Sequence, residues 1–287
     1  MKQSQKLNYM LLLTCLHPIN FDLHSEFLKV ILHWFRSFDS ALVAFSGGLD
    51  SSVVTKAAQL ALGERALAVT AWSPSSCEQE KGESVQVARE IGIRHLLYQS
   101  REFEDARYLR NDKDRCYYCK HLRFSEMVRI ANEQNFQVVL DGSNADDSFD
   151  FRPGKKAAEE LGVRSPLAEL GITKEAAREL AKNWNLSVWN KPAEPCLSTR
   201  IPYGQPLMEP LLRRIEAAES FLRTSGFSPL RVRVQGEAAA RIEVPVDQIG
   251  KLLEPSLREN LLEKFQSLEF HTISVDMQGF RSGSMNQ

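Results

Sequence analysis

The sequence predicts an α/β protein, a parallel sheet with helices on both faces, followed by a small C-terminal α+β unit. Three observations lead there. Short apolar runs rich in β-forming residues alternate with helical stretches from Ala41 to Asp141. Polar segments, "SGGLDSS", "SPSSC" and "GSNADD", follow three of those runs, and ligands of such sheets bind beyond the carboxyl ends of the strands. After Pro206 the texture changes to a helix followed by strands of alternating character.

Taken in order, "ALVAF" (41–45) is the first strand and "SSVVTKAAQLAL" (51–62) a helix that stops at Gly63. "ALAVTAW" (66–72) and "RHLLYQ" (94–99) are the second and third strands, with the helix "EQEKGESVQVAREIG" between them. A longer helix from about Tyr118 to Asn135 precedes the fourth strand, "QVVLD" (137–141). Upstream, Phe21, Phe27, Leu28, Ile31, Leu32 and Phe35 fall near helical spacing, which predicts an amphipathic helix over Asn20 to Phe38. Downstream, "LMEPLLRRIEAAESFLRTSG" is a helix with a glycine stop, "LRVRVQG" and "ARIEVPV" are strands, and "FHTISVDM" is a last strand. The expected division is residues 1–38 as leader and helix, 39–205 as the α/β domain, and 206–287 as a unit that folds on its own core.

Composition narrows the function. Thirty-six basic residues nearly balance 37 acidic ones, for a net charge of −1. That gives no global electrostatic case for nucleic acid or a membrane surface, so anion binding must be local. In the opening "MKQSQKLNYMLLLTCLHP" the apolar run is short, and no small residue precedes Cys15 as a lipoprotein cleavage site requires. No stretch approaches the ~20 apolar residues of a membrane span. Five cysteines is an odd number without the regular pairing of a secreted scaffold, so a cytoplasmic protein is expected.

"AFSGGLDSS" is the strongest local signal. A strand delivers Ser46, Gly47 and Gly48 into a turn where backbone approaches a ligand closely, and a helix begins at Asp50. The free N–H groups and positive end of that helix favour an anion. Ser46, Ser51 and Ser52 add hydroxyl donors, and Asp50 suits Mg²⁺. No G-x-x-x-x-G-K-[ST] motif occurs, so this is not the common P-loop. The structural alternative is a glycine turn with Asp50 or Ser51 as a helix cap. Gly142, Ser143 and Asn144 form a second candidate contact, or an ordinary Asx-type turn.

"SGGLDSS" after a strand resembles the pyrophosphate loop of the PP-loop ATP pyrophosphatases, an adenine nucleotide alpha hydrolase-like fold. Those enzymes split ATP into AMP and pyrophosphate to adenylate a substrate. "SPLAELGITKEAARELAKNWNLSVWNKPAEPCLSTRIPYG", "RCYYCK", "LRVRVQG" and "GFRSGSMNQ" together resemble one subfamily. It is the ATP-dependent sacrificial sulfur transferases, or sulfur insertases, of nickel-pincer nucleotide cofactor biosynthesis. The resemblance runs from about residue 25 onwards. It implies ATP and Mg²⁺ as reactants, a pyridinium mononucleotide as small-molecule substrate, and a homo-oligomer. ATP would adenylate a carboxylate of the pyridinium biscarboxylate mononucleotide, and sulfur would displace AMP.

Cys196 sits in "KPAEPCLSTRIPYG", where Pro192, Pro195 and Pro202 stiffen the backbone. Arg200 is near enough in sequence to favour its thiolate; a buried structural cysteine is the ordinary alternative. By resemblance Cys196 is the sulfur-transfer cysteine. Cys116 and Cys119 have a C-x-x-C spacing, open by itself to a zinc site, which wants four ligands, or a redox pair. Some members of the subfamily carry three such cysteines, and a 4Fe-4S cluster on Cys116, Cys119 and Cys196 with one open iron is the expectation adopted here. Cys77 reads as structural. Arg231 and Arg233 stand two apart on a strand and share a face; the spacing alone fits a solvent-facing strand, whereas the resemblance makes them binders of the substrate phosphate. It also carries Glu219 towards the reactive cysteine or a metal, with Glu243 and Asp247 as weaker metal candidates. Tyr117 and Tyr118 suit ring stacking or plain packing. The rivals are a tRNA thiolase, an amide-forming synthetase and a non-catalytic nucleotide-binding protein.

Overall fold

A computed structural model describes residues 23–149, 153–192, 194–236 and 238–281. Expectations for residues 1–22, Cys15 among them, and for the tail beyond Arg281 lie outside the described residues. The chain runs α1 (Leu23–Phe35), β1 (Ala41–Ala44), α2 (Leu49–Leu62), β2 (Ala66–Trp72), α3 (Glu78–Ile91), β3 (Arg94–Gln99), α4 (Ala106–Leu109) and α5 (Arg115–Glu133). It continues through β4 (Val138–Leu140), α6 (Pro153–Glu160), α7 (Pro166–Glu169), α8 (Lys174–Asn183) and α9 (Glu209–Thr224). The last elements are β5 (Arg231–Gln235), β6 (Ala239–Glu243), α10 (Pro255–Ser267) and β7 (Thr272–Val275).

Strands β1 to β4 form a parallel sheet in the order β3-β2-β1-β4. Side chains alternate across a strand, and the packing follows that alternation. Ala41 and Val43 of β1 join Val138 and Leu140 of β4 in one core with α1, α2 and α8. Leu42 and Val139 face the other way, into a second core with Phe124, Met127 and Ile130 of α5. Helices thus cover both faces, as the sequence predicts. Because the strands are parallel, the segments that follow β1, β2, β3 and β4 all emerge at one edge.

The C-terminal strands make a second sheet, β5-β6-β7, antiparallel at β5/β6 and parallel at β6/β7. Its core gathers Leu211, Ile215 and Leu222 of α9 with Val232, Val234, Ile242 and Phe265. Tyr108, Leu197 and Ile201 belong to the same core. The segment bearing Cys196 is therefore packed into the smaller unit.

The C-x-x-C segment differs from the expectation. Helix α5 begins at Arg115, three residues before the expected start, so Cys116 and Cys119 lie on its first turns. The carbonyls of Asp112 and Asp114 accept the first N–H groups of that start, from Arg115 and Tyr117. No helix of the described residues is long and apolar enough to cross a membrane.

Candidate active site

At the edge beyond β1 the chain makes the turn the sequence suggests. Gly47 adopts φ +73°, and a Cβ there would lie 2.9 Å from Ser84 Cα. Gly48 caps α2 without any side-chain hydrogen bond to the helix, which leaves the first-turn N–H groups of α2 for a ligand. The hydroxyls are held in place: Ser46 Oγ lies 3.0 Å from Ser51 Oγ, and Ser51 and Ser52 Oγ donate to Gly48 O at 3.1 and 2.7 Å. None of the loop's serines or Asp50 acts as the helix cap.

The segment after β4 closes against this loop. A Cβ on Gly142 would meet Ser51 N at 2.8 Å, so only glycine fits without a shift. Ser143 N–H and Oγ donate to the two oxygens of Asp141, which also accepts from Ser165 Oγ. Asn144 is buried and its amide lies against Asp50. Burial raises the Asp50 pKa, with Lys174 acting in the opposite direction, and its buried Oδ1 has no hydrogen-bond partner. A desolvated carboxylate oxygen lacking a donor fits a metal cation better than a structural cap.

The Cys196 loop reaches the same edge: Leu197 N–H donates to Ser75 O, 2.9 Å away in the segment after β2. Cys196 is exposed at the start of a short 3-10 turn, Leu197–Arg200. Behind it Arg200 and Glu219 form a buried two-pronged pair, Nε–Oε1 2.9 Å and Nη2–Oε2 3.0 Å. Arg200 Nη1 donates to the carbonyls of Pro195 and Cys196 at 2.6 and 3.2 Å. Glu219 Oε1 also accepts from Val232 N–H at 2.9 Å. Arg200 thus acts through the backbone that carries the thiol, with its charge matched by Glu219. Glu219 is engaged by Arg200, directly behind the backbone of Cys196.

Cys116 and Cys119 lie on the first turns of α5, and the charge of Cys196 acts on each thiol. Burial pushes the Cys119 thiol up to about 12. Burial, then Cys196, raises Cys116 as well, although that residue lies exposed at the helix surface. Beneath Cys119, Arg123 pairs with buried Glu102 and donates to Ser73 Oγ at 3.2 Å. Among the described residues no three His, Cys, Asp or Glu side chains are gathered closely enough for one metal ion. A preassembled single-ion site such as structural zinc does not fit.

Sequence reasoning missed the clasp that ties the Cys196 loop to the segment leading into α5. Asn111, at φ 59°, donates from Nδ2 to Pro202 O and Gln205 O, both at 2.9 Å. Arg115 donates to Asn111 Oδ1, and Tyr108 OH lies 2.8 Å from Ser198 Oγ. Arg123, four residues after Cys119 and so on the same helix face, was visible as a spacing; the partners of Asn111 and Tyr108 left no local signal.

The two arginines of β5 part company. Arg233 donates to Glu243 Oε1 and Thr199 O at 2.6 and 2.7 Å, so it ties β5 to the cysteine loop. Arg231 makes a 2.6 Å bond to the adjacent Leu230 O and lies over the Phe280 ring. Burial, followed by the nearby Arg200, pushes it down to about 10. Neither side chain is solvent-facing; each residue is 8% exposed. Glu243 is held by Arg233 and Arg241 and Asp247 is exposed on the surface; among the described residues no group of three metal-binding side chains includes them. Tyr117 bonds Glu160 at 2.7 Å, and Tyr118 packs on the C-terminal core. Cys77 is half-buried at the start of α3, its thiol pushed up to about 11 by burial and then by Glu216.

Comparison with known proteins places this geometry. The asparagine synthase family model matches residues 35–200, the sheet and the cysteine loop together. The pyridinium-3,5-bisthiocarboxylic acid mononucleotide synthase of Lactiplantibacillus plantarum is 38% identical over 88% of this chain and 90% of its own. The chain belongs to that sulfur insertase family. It is accordingly an ATP-dependent sulfur transferase built on a PP-loop domain. An uncharacterized protein of Synechocystis is 40% identical over 91% of this chain and 97% of its own. A glutamine-hydrolyzing GMP synthase component from Archaeoglobus fulgidus is 26% identical over 58% of this chain and 55% of its own.

Proposed function

We propose that this sulfur insertase adenylates a carboxylate of pyridinium biscarboxylate mononucleotide, releases pyrophosphate, and replaces AMP by sulfur to give the thiocarboxylate. The observation that carries the reading is the exposed Cys196 thiol, pinned by the Arg200–Glu219 pair at the same sheet edge as the Ser46–Ser52 loop. The first-turn N–H groups of α2 and the hydroxyls of Ser46, Ser51 and Ser52 hold the phosphates, with Gly142, Ser143 and Asn144 lining the nucleotide. Asp50 holds Mg²⁺ through its unpartnered oxygen. Arg231 receives the mononucleotide phosphate: its burial without a carboxylate bond is relieved by an anion. Arg233, committed to Glu243 and Thr199, fixes the strand from which Arg231 reaches.

Cys116, Cys119 and Cys196 would hold a 4Fe-4S cluster, whose open iron would supply bound sulfide to the activated carboxylate. The residues of this chain orient it: the Asn111 clasp sets Cys196 against α5, and the Arg123–Glu102 pair underlies Cys119. A second reading, in which the Cys196 thiolate attacks alone and gives up its own sulfur, is favoured by the absence of a tight three-ligand group among the described residues. Iron and acid-labile sulfide in protein prepared without oxygen separate the two. About four of each per chain, lost in Cys116→Ala, support the cluster. No iron in protein that still releases pyrophosphate, with Cys196 converted to dehydroalanine after turnover, supports the thiolate route.

A further inference from the structure

The segment that follows β7, Asp276 to Arg281, folds back across the end of β6. Asp276 N–H donates to Ile242 O at 2.9 Å and Phe280 N–H to Val244 O at 2.8 Å. Between these two bonds the chain turns on itself: Gln278 N–H donates to Asp276 Oδ1 at 2.9 Å and Gly279 N–H to Asp276 O at 3.0 Å. Gly279 adopts φ +70°, and a Cβ there would lie 2.8 Å from both Val244 O and Val246 Cγ2. Only glycine allows the close approach that sets Phe280 in its place.

The Phe280 ring is half-buried, yet it takes no part in the C-terminal core. It lies instead over the Arg231 guanidinium, with Cζ 5.1 Å from the ring centroid. Two residues along the same face of β5, Arg233 is held differently, by Glu243 Oε1 and Thr199 O. A carboxylate partner occupies the N–H donors of a guanidinium. An aromatic ring touches only its flat face and leaves the donors at the rim free. Arg231 uses Nη1 on Leu230 O and closes no ion pair among the described residues.

We propose that Phe280 is the positioning residue of the substrate phosphate site: its ring holds the plane of the Arg231 guanidinium and leaves the rim N–H groups for the phosphate of the mononucleotide. The inference rests on the reading of Arg231 as the phosphate receiver and adds the segment after β7 that orients it. A two-pronged grip on phosphate needs the plane of the fork to be fixed, and stacking fixes it. An ion pair would fix it too, but its carboxylate would have to be displaced before phosphate could bind. Phe280 therefore acts on recognition of the phosphate, through Arg231, and not on the adenylated carboxylate.

The experiment is calorimetric titration of the full chain with pyridinium biscarboxylate mononucleotide and with the corresponding nucleoside, which lacks the phosphate. Wild type is compared with Phe280→Leu, Phe280→Trp, Arg231→Ala and the double variant of Arg231→Ala with Phe280→Leu, each checked by thermal melting. Phe280→Leu is expected to weaken the mononucleotide about fivefold, the size of one cation–π contact, while the nucleoside changes less than about twofold. Phe280→Trp restores most of the affinity, because the ring face returns. In the Arg231→Ala background Phe280→Leu adds no further loss. Equal weakening of both ligands by Phe280→Leu marks a structural role and overturns the inference. Unchanged mononucleotide affinity in Phe280→Leu overturns it as well, as does a loss in the double variant that is the sum of the two single losses. Wild type without a preference for the mononucleotide, or Arg231→Ala that keeps the preference, removes the phosphate reading of Arg231 and the inference with it. Where Arg231→Ala loses the preference, that reading stands and the Phe280 variants decide the inference alone.

Discussion

The phosphate loop and the cysteine loop meet at one sheet edge, but they are made in different ways. Ser46 to Ser52 build the first within a single turn, from two glycines and hydroxyls that bond to their own backbone. The second is assembled from distant segments by buried charges: Arg200 with Glu219, Arg233 with Glu243, Arg123 with Glu102. A loop that holds anions must keep its N–H groups free, so it is shaped by sterics and short-range bonds. A thiol that must meet an activated carboxylate has to be fixed in space by its surroundings, and buried ion pairs fix geometry while adding little net stability. The two regions should therefore fail differently when altered.

The largest effect is expected from Glu219→Ala. It leaves the Arg200 guanidinium buried without its partner and frees the Val232 N–H; the cost is about 3–5 kcal/mol, read by urea denaturation. Replacing both partners by apolar residues, Arg200→Met with Glu219→Leu, should recover most of that stability and still abolish sulfur transfer. A double variant with normal transfer would break the comparison.

Gly142→Ala is the counterpart on the phosphate side. The added methyl meets Ser51 N at 2.8 Å, which should cost about 1–3 kcal/mol and weaken ATP in calorimetry. Alkylation of Cys196 should proceed at the wild-type rate.

The β5 arginines sharpen the contrast within one strand. Arg233→Ala removes bonds to Glu243 and Thr199 and should lower stability by about 1–3 kcal/mol. Arg231→Ala should lose mononucleotide binding with no loss of stability, because burial already disfavours its charge, with the pKa down at about 10. Equal loss of stability in both variants would contradict the division of labour drawn here.

Asp50→Asn should give the smallest shift and an opposite sign. Burial raises the native pKa of Asp50, so its charged form costs stability at neutral pH in the ligand-free protein. Its contribution is most favourable below the ordinary carboxylate value, about 4, and is lost as pH rises through the raised native value. The variant should melt slightly higher than wild type at pH 7, lose that advantage as pH approaches about 4, and fail to turn over Mg-ATP. A lower melting temperature at pH 7 would make Asp50 a structural residue.

The fold was largely legible because its signals are local. Apolar runs, glycine stops and the strand-to-helix turn at Gly47 and Gly48 each declare themselves within a few residues. The same holds for the phosphate loop, although Ser51 and Ser52 bond to the Gly48 carbonyl and Ser46 to the Ser51 hydroxyl. The cysteine site was legible only through resemblance. Nothing in the sequence near Arg200 says that Glu219 neutralises it, and nothing near Asn111 names Pro202 and Gln205. Arg231 and Arg233 look equivalent by spacing; only the tertiary neighbours, Glu243 for one and Phe280 for the other, separate them. Glu219 was brought near the reactive cysteine only by resemblance; its partner Arg200, which bonds the Cys196 carbonyl, left no local signal for the pairing.

The most direct measurement is the mass of the pyridinium biscarboxylate mononucleotide after anaerobic incubation with Mg-ATP, sulfide and the protein, with Cys196→Ala alongside. Exchange of one oxygen for sulfur, with pyrophosphate formed in step and no exchange in the variant, is the result predicted here. Thiocarboxylate formed equally well by Cys196→Ala, or no exchange by a wild type that hydrolyses ATP in the presence of this substrate, would contradict it.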